Sequence, residues 1–162
     1  MFAVLTYIGA IVAANLSVAA FGPWVSPINA FLLIGLDLAL RDRLHDRWAG
    51  PGLWPRMLAM ILAAGALSYL LNPTAGRIAA ASAAAFVLSG ATDALVYHLM
   101  RGRRFLVRSN ASNAAGALAD SLVFPTLAFG ALLPGIVALQ FAAKVLGGAA
   151  WALLLRSRWA RA

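Results

Sequence analysis

The chain has 162 residues, 63% of them hydrophobic and only 11% charged, and carries a formal net charge of +8. That balance excludes an ordinary soluble globular domain, in which about a quarter of residues are charged. Cysteine is absent, which excludes disulfides and thiolate metal sites.

Apolar runs alternate with short Arg-rich or Pro/Gly-rich segments, the pattern of an all-α polytopic membrane protein. We read residues 1–162 as one domain, a bundle of six transmembrane helices. The first run, Phe2–Phe21, lacks the basic leader of a signal peptide and predicts a retained span. Asn15 is its main polar group. Gly9/Ala13 and Ala10/Ala14 are small-residue pairs of the kind that let helices approach closely. The second run, Pro27–Leu40, is short for a bilayer, so it either continues into Arg41–Arg47 or lies in a thinned region. Near its end Asp37 precedes Arg41 by four residues, which predicts an i,i+4 ion pair.

Trp54–Leu71 is the third span, Arg77–Met100 the fourth, Ser109–Phe129 the fifth and Pro134–Leu155 the sixth. On the fourth, Ser82, Phe86, Ser89 and Asp93 recur at helical spacing and share one face. Asn113, Ala117, Asp120 and Phe124 do the same on the fifth, and Gln140, Lys144, Gly147 and Trp151 on the sixth. Three helices with one polar-aromatic stripe each predict a shared interior cavity. For the serines and glycines, interhelical packing is the simpler explanation. For Asp93, Asp120 and Lys144 it is not, because an ionisable group at the bilayer centre costs about 3 kcal/mol or more on insertion scales.

Depth follows from helix rise. Asp120 lies roughly 18 Å from Arg108 and Lys144 roughly 15 Å from Pro134, against a hydrocarbon thickness of about 30 Å. Both reach the midplane, from opposite sides. Topology follows from arginine. Of 13 Lys+Arg, all but Arg77 and Lys144 lie in Arg41–Arg56, Arg101–Arg108 or Arg156–Arg161, the segments after the second, fourth and sixth runs. The positive-inside rule then places both termini in the cytoplasm. Basic loops beside anionic lipid headgroups account for the net charge without nucleic acid.

His45 and His98 lack metal-ligand spacing, and the chain has no Ser-His-Asp order, Gly-rich phosphate loop or HExxH motif. No enzyme activity, cofactor or metal is therefore expected. An intramembrane enzyme using Asp93 and Asp120 is the weaker rival, and a membrane scaffold with a structural Asp120–Lys144 pair a stronger one.

These motifs resemble the vitamin uptake transporter family, whose characterised members carry queuosine precursors. Asn15 lies in Ala14-Asn15-Leu16, and Asp37 and Arg41 in Leu36-Asp37-Leu38-Ala39-Leu40-Arg41; Arg77-Ile78-Ala79 opens the fourth span. The most specific block is Arg103-Arg104-Phe105-Leu106-Val107-Arg108, followed by Ser109-Asn110-Ala111-Ser112-Asn113, Asp120-Ser121-Leu122-Val123-Phe124 and Lys144-Val145-Leu146. Gln140 stands where the resemblance leads one to expect an acid.

The resemblance implies import of 7-cyano-7-deazaguanine or its aminomethyl counterpart across a bacterial inner membrane. A 7-deazaguanine offers adjacent ring and exocyclic N–H donors, which Asp120 or Asp93 can accept in bidentate fashion. Lys144, Asn113 or Gln140 can donate to its carbonyl, and Phe86, Phe124 or Trp151 can stack on it. With Asn15, these residues form the expected substrate site. The alternative within transport is the substrate-binding subunit of an ATP-driven vitamin uptake complex. Oligomeric state is open.

Overall fold

A computed structural model describes residues 2–48 and 50–159, except for the side chains of residues 45, 46, 105, 106, 108, 109 and 156–159. His45, Phe105, Leu106, Arg108, Ser109, Arg156, Arg158 and Arg161 therefore enter the sequence argument but lie outside the described side chains. The described residues form helices: α1 Phe2–Phe21, α2 Ser26–Asn29, α3 Gly35–Arg47, α4 Leu53–Leu71, α5 Gly76–Leu99, α6 Phe105–Phe129 and α7 Pro134–Trp159. A single π-turn, Ala30–Ile34, joins α2 to α3, so the two make one rod and the bundle has six rods. The second span is thus not short; it runs from Pro23 to Leu44 before its charged end projects further.

Five rods are long and apolar enough to cross a membrane. The sixth, α6, has the length at 25 residues but carries Asn110, Ser112, Asn113, Asp120 and Ser121 along it. Of these, Ser112, Asp120 and Ser121 are buried against neighbouring helices, whereas Asn110 and Asn113 are exposed and border a cleft. Leu5, Leu62, Leu70, Leu95 and Leu146 are exposed, as the outer surface of a multi-pass membrane bundle requires.

Around the bundle α1 packs on α4, α4 on α5, α5 on α6, α6 on α7, and α7 on the α2–α3 rod, which returns to α1. The α5–α6 contact is the most extensive, and small residues explain it. A methyl on Gly116 would lie 3.2 Å from the Ser89 carbonyl oxygen. The closest crossing joins α7 to the α2–α3 rod, where a methyl on Gly147 would overlap the Phe31 carbonyl and one on Gly35 would sit 2.6 Å from the Gly147 carbonyl carbon.

Turns at the Pro-rich end are tight. Gly22 has φ +78° ahead of Pro23, and Gly130 ends α6 in the left-handed region with φ +76°. Asn72 Oδ1 accepts from the Thr74 backbone N–H at 3.0 Å and so closes the turn before Pro73. These connections hold the helices at one end, while the arginine-rich segments occupy the other. Near that other end Tyr7, Ile11, Leu40, Leu44, Met57, Met60 and Phe86 form the larger apolar core.

Candidate functional site

The midplane residues meet. Lys144 Nζ forms an ion pair with Asp120 Oδ2, and it also donates to Ser121 Oγ at 3.0 Å and to Gln140 Oε1 at 3.1 Å. Lys144 is 3% exposed and Asp120 8%, so the charges are removed from solvent and satisfied mainly by each other. Helix period supplies the geometry: Gln140 and Lys144 are one turn apart on α7, and Asp120 and Ser121 are adjacent on α6. Pro125 contributes as well, because it cannot donate to the Ser121 carbonyl four residues back.

From Lys144 the hydrogen bonds continue toward the Pro-rich end. Gln140 Nε2 donates to Ser26 Oγ at 2.8 Å, and Ser26 Oγ donates to the Pro23 carbonyl at 2.6 Å. Asn29 Nδ2 donates to Ser17 Oγ at 2.6 Å and to the Ala14 carbonyl at 3.3 Å. Asn15 Nδ2 donates to Ser68 Oγ at 3.1 Å, tying α1 to α4. Among these groups is a small cavity of about 30 Å³, bordered by Asn15, Phe86, Asp120, Phe124, Gln140 and Lys144. It holds roughly one water molecule.

Six of the eight residues expected in one site are therefore brought together. Asp93 and Asn113 are not. Asp93 borders a cleft of about 460 Å³ between α1, α3, α4 and α5, with Tyr7, Arg41, Trp54, Met57 and Phe86. Asn113 borders a second cleft, of about 350 Å³, between α3, α6 and α7, with Arg41, Asp42, Asn110 and Lys144. Two side chains link these spaces to the small cavity. Phe86 separates it from the first cleft, and Lys144 from the second. Trp151 lies elsewhere: its Nε1 donates at 2.9 Å to the Leu32 carbonyl, inside the π-turn, where helical hydrogen bonding is irregular.

One expectation is overturned and one residue was missed. Asp37 makes no ion pair with Arg41; Arg41 Nε instead lies 3.9 Å from Asp42 Oδ1. Asp37 is 0% exposed, and neither carboxylate oxygen has a hydrogen-bond partner among the described residues. Packing of α3 against α1 and α7 buries it, which periodicity within a single span does not reveal. Tyr7 Oη and Asp93 Oδ1 are likewise buried without a partner among the described residues. No group of three or more His, Cys, Asp or Glu suited to a metal occurs among the described residues.

The bundle thus combines a buried ion pair with two clefts that Arg41 borders. The family described as "Putative vitamin uptake transporter" matches residues 3–155, and the chain belongs to that family. No curated protein and no solved structure matches the chain.

Proposed function

We propose that the protein imports a small, flat, hydrogen-bonding heterocycle, a 7-deazaguanine precursor of queuosine, across a bacterial inner membrane. The observation that carries this reading is the division of polar space. A small central cavity is bordered by the Asp120–Lys144 pair, and a cleft of about 460 Å³ beside it combines Asp93 and Arg41 with the rings of Trp54 and Phe86. Ligand pockets for small molecules typically run about 300–1,000 Å³, so the cleft has the size that the central cavity lacks. Asp93 Oδ1, buried and unpartnered among the described residues, is an acceptor for adjacent N–H donors of a guanine-like edge.

The arrangement supports alternating access around a midplane site. Both clefts lie toward the end where Arg41 and Asn110 sit, and toward the opposite end the helices are bridged by the Asn29–Ser17 and Gln140–Ser26 hydrogen bonds. With both termini cytoplasmic, this is a carrier open to the cytoplasm and shut outside. Entry of substrate to the centre requires Phe86 to move and Lys144 to exchange a protein acceptor for the substrate carbonyl.

Two measurements test the proposal. Purified protein is heated with 7-cyano-7-deazaguanine, its aminomethyl counterpart, guanine and unrelated vitamins. A ligand of the native state raises its stability by mass action, so the deazaguanines give the largest shifts. No shift with either at saturation overturns the substrate. Proteoliposomes holding this chain alone then take up the stabilising ligand, and an Asp120→Asn variant loses that uptake. Uptake that appears only after adding ATPase proteins would move the chain to the ATP-driven class.

A further inference from the structure

Asp37 stands out among the acidic groups because the Asp120–Lys144 pair does not use it and no described group satisfies it. It is 0% exposed, and both carboxylate oxygens lack a hydrogen-bond partner among the described residues. An ionised carboxylate in that position has neither water nor a donor, which is the costliest state for a buried acid. A carboxylic acid in the same place is neutral. The charged and titratable groups around it do not favour a permanent anion either. Tyr7 on α1 is a neutral phenol, and Asp120 on α6 adds negative charge that Lys144 on α7 already neutralises. On its own helix Arg41 is positive, but Asp42 beside it is negative and lies 3.9 Å from the guanidinium. Asp93 on α5 borders the cleft that Tyr7 and Arg41 share.

A cation site is disfavoured by the same surroundings. Calcium requires about 6–8 oxygen ligands and magnesium near-octahedral coordination, and the described acidic groups form no metal-binding cluster. What remains is a proton. Access for it is short: Arg41, one helical turn beyond Asp37, borders both open clefts, and Tyr7 borders the larger. On the other side, Asp37 lies within electrostatic reach of Asp120.

We propose that Asp37 is a proton-carrying site whose charge state is read by the Asp120–Lys144 pair, coupling proton movement to substrate movement. The step is a simple ionisation: the Asp37 carboxylic acid releases its proton to water in the cytoplasmic clefts and becomes a carboxylate. Its new negative charge then repels the Asp120 carboxylate, which lies within its electrostatic reach, and loosens the Asp120–Lys144 pair beside the central cavity. Reprotonation restores it. The coupling rests on the transport reading given above, but the protonation of Asp37 does not.

Infrared spectroscopy of the purified protein at neutral pH tests the protonation alone. A carboxylic-acid C=O band, shifting in heavy water, is expected in the wild type, absent from Asp37→Asn and retained in Asp93→Asn. A band that survives Asp37→Asn, or that disappears with Asp93→Asn, overturns the assignment. The amide has the shape of the neutral acid, so Asp37→Asn is expected to fold to the wild-type level; failure to fold shows that the charge is structural and also overturns it. In proteoliposomes, uptake of 7-cyano-7-deazaguanine is expected to bring protons with it in the wild type. Asp37→Asn is expected to lose accumulation driven by an imposed pH gradient while exchanging substrate across the membrane. Gradient-driven accumulation by the variant overturns the coupling. No uptake by the wild type would sink the transport reading and the coupling together, and the infrared result would stand by itself.

Discussion

The two halves of the bundle treat their polar groups in opposite ways. Toward the Pro-rich end, Asn15, Ser26, Asn29, Gln140 and Lys144 all have partners, and the enclosed space is about 30 Å³. Toward the arginine-rich end, Tyr7, Asp37 and Asp93 keep buried oxygens without partners among the described residues, and the clefts reach about 460 and 350 Å³. Satisfied groups in a low-dielectric interior fix one arrangement, whereas unsatisfied ones carry a standing cost that a ligand or proton can relieve. The closed half is therefore where substitutions will cost stability, and the open half is where they will cost function.

The sharpest test of the closed half separates the partners of the ion pair. Lys144→Met leaves the Asp120 carboxylate buried without its ammonium, and breaking a buried pair in this way costs about 3–5 kcal/mol. Asp120→Asn leaves the ammonium with Ser121 and Gln140 still accepting from it, so the loss is expected to be smaller. Thermal or denaturant unfolding of the purified variants measures the difference. Equal losses would mean that the flanking acceptors contribute nothing, and that the closed half is held by apolar packing alone.

That ion pair was legible in the sequence, and the reason is physical. A charge far from either end of an apolar helix has few explanations, and helix rise alone placed Asp120 and Lys144 at one depth. The six helical rods were legible for the same reason. What periodicity cannot provide is which helices are neighbours. Asp93 and Asn113 share their stripes' faces with Phe86 and Asp120, yet each lies nearer the arginine-rich end of its helix and borders a different cleft. Asp37 was misread because a local i,i+4 partner looked sufficient; its side chain is buried by tertiary packing, and Arg41 turns to Asp42 instead. Nor does composition reveal the π-turn at Ala30–Ile34, whose Leu32 carbonyl takes the Trp151 indole that sequence reasoning had offered to a substrate.

The boundary between the halves is the crossing of Gly35 and Gly147. A methyl on Gly35 would overlap the main chain of α7, and one on Gly147 would overlap the Phe31 carbonyl within the π-turn. Backbone cannot move aside as a flexible side chain does, so Gly35→Ala or Gly147→Ala is expected to cost about 1–3 kcal/mol by overpacking. Gly65→Ala is the control, since nothing lies within 4 Å of its added methyl. Relief of glycine's conformational entropy there is expected to add roughly 0.5–1 kcal/mol of stability. The same unfolding measurement reads all three; tolerance of alanine at both crossing glycines would show that α3 and α7 separate readily.

The smallest expected change in stability is the most informative about function. Asn15→Ala removes the α1–α4 hydrogen bond to Ser68 and is expected to cost about 0.6–2 kcal/mol, the range found for interhelical bonds in membranes. Asp93→Asn removes an acceptor, Oδ1, that is not bonded within the described protein, and its cost is expected to stay within about 0.5 kcal/mol. Ligand binding should rank the two the other way. An amide can no longer accept both donors of a guanine-like edge, and losing a charge-assisted hydrogen bond is worth about 1.5–3 kcal/mol. That is about a tenfold loss of affinity or more. Calorimetric titration with 7-cyano-7-deazaguanine checks it against the Asn15→Ala variant. If Asp93→Asn unfolds easily and binds normally, the larger cleft is a packing defect filled by lipid, and substrate recognition has to be sought at Asp120 alone.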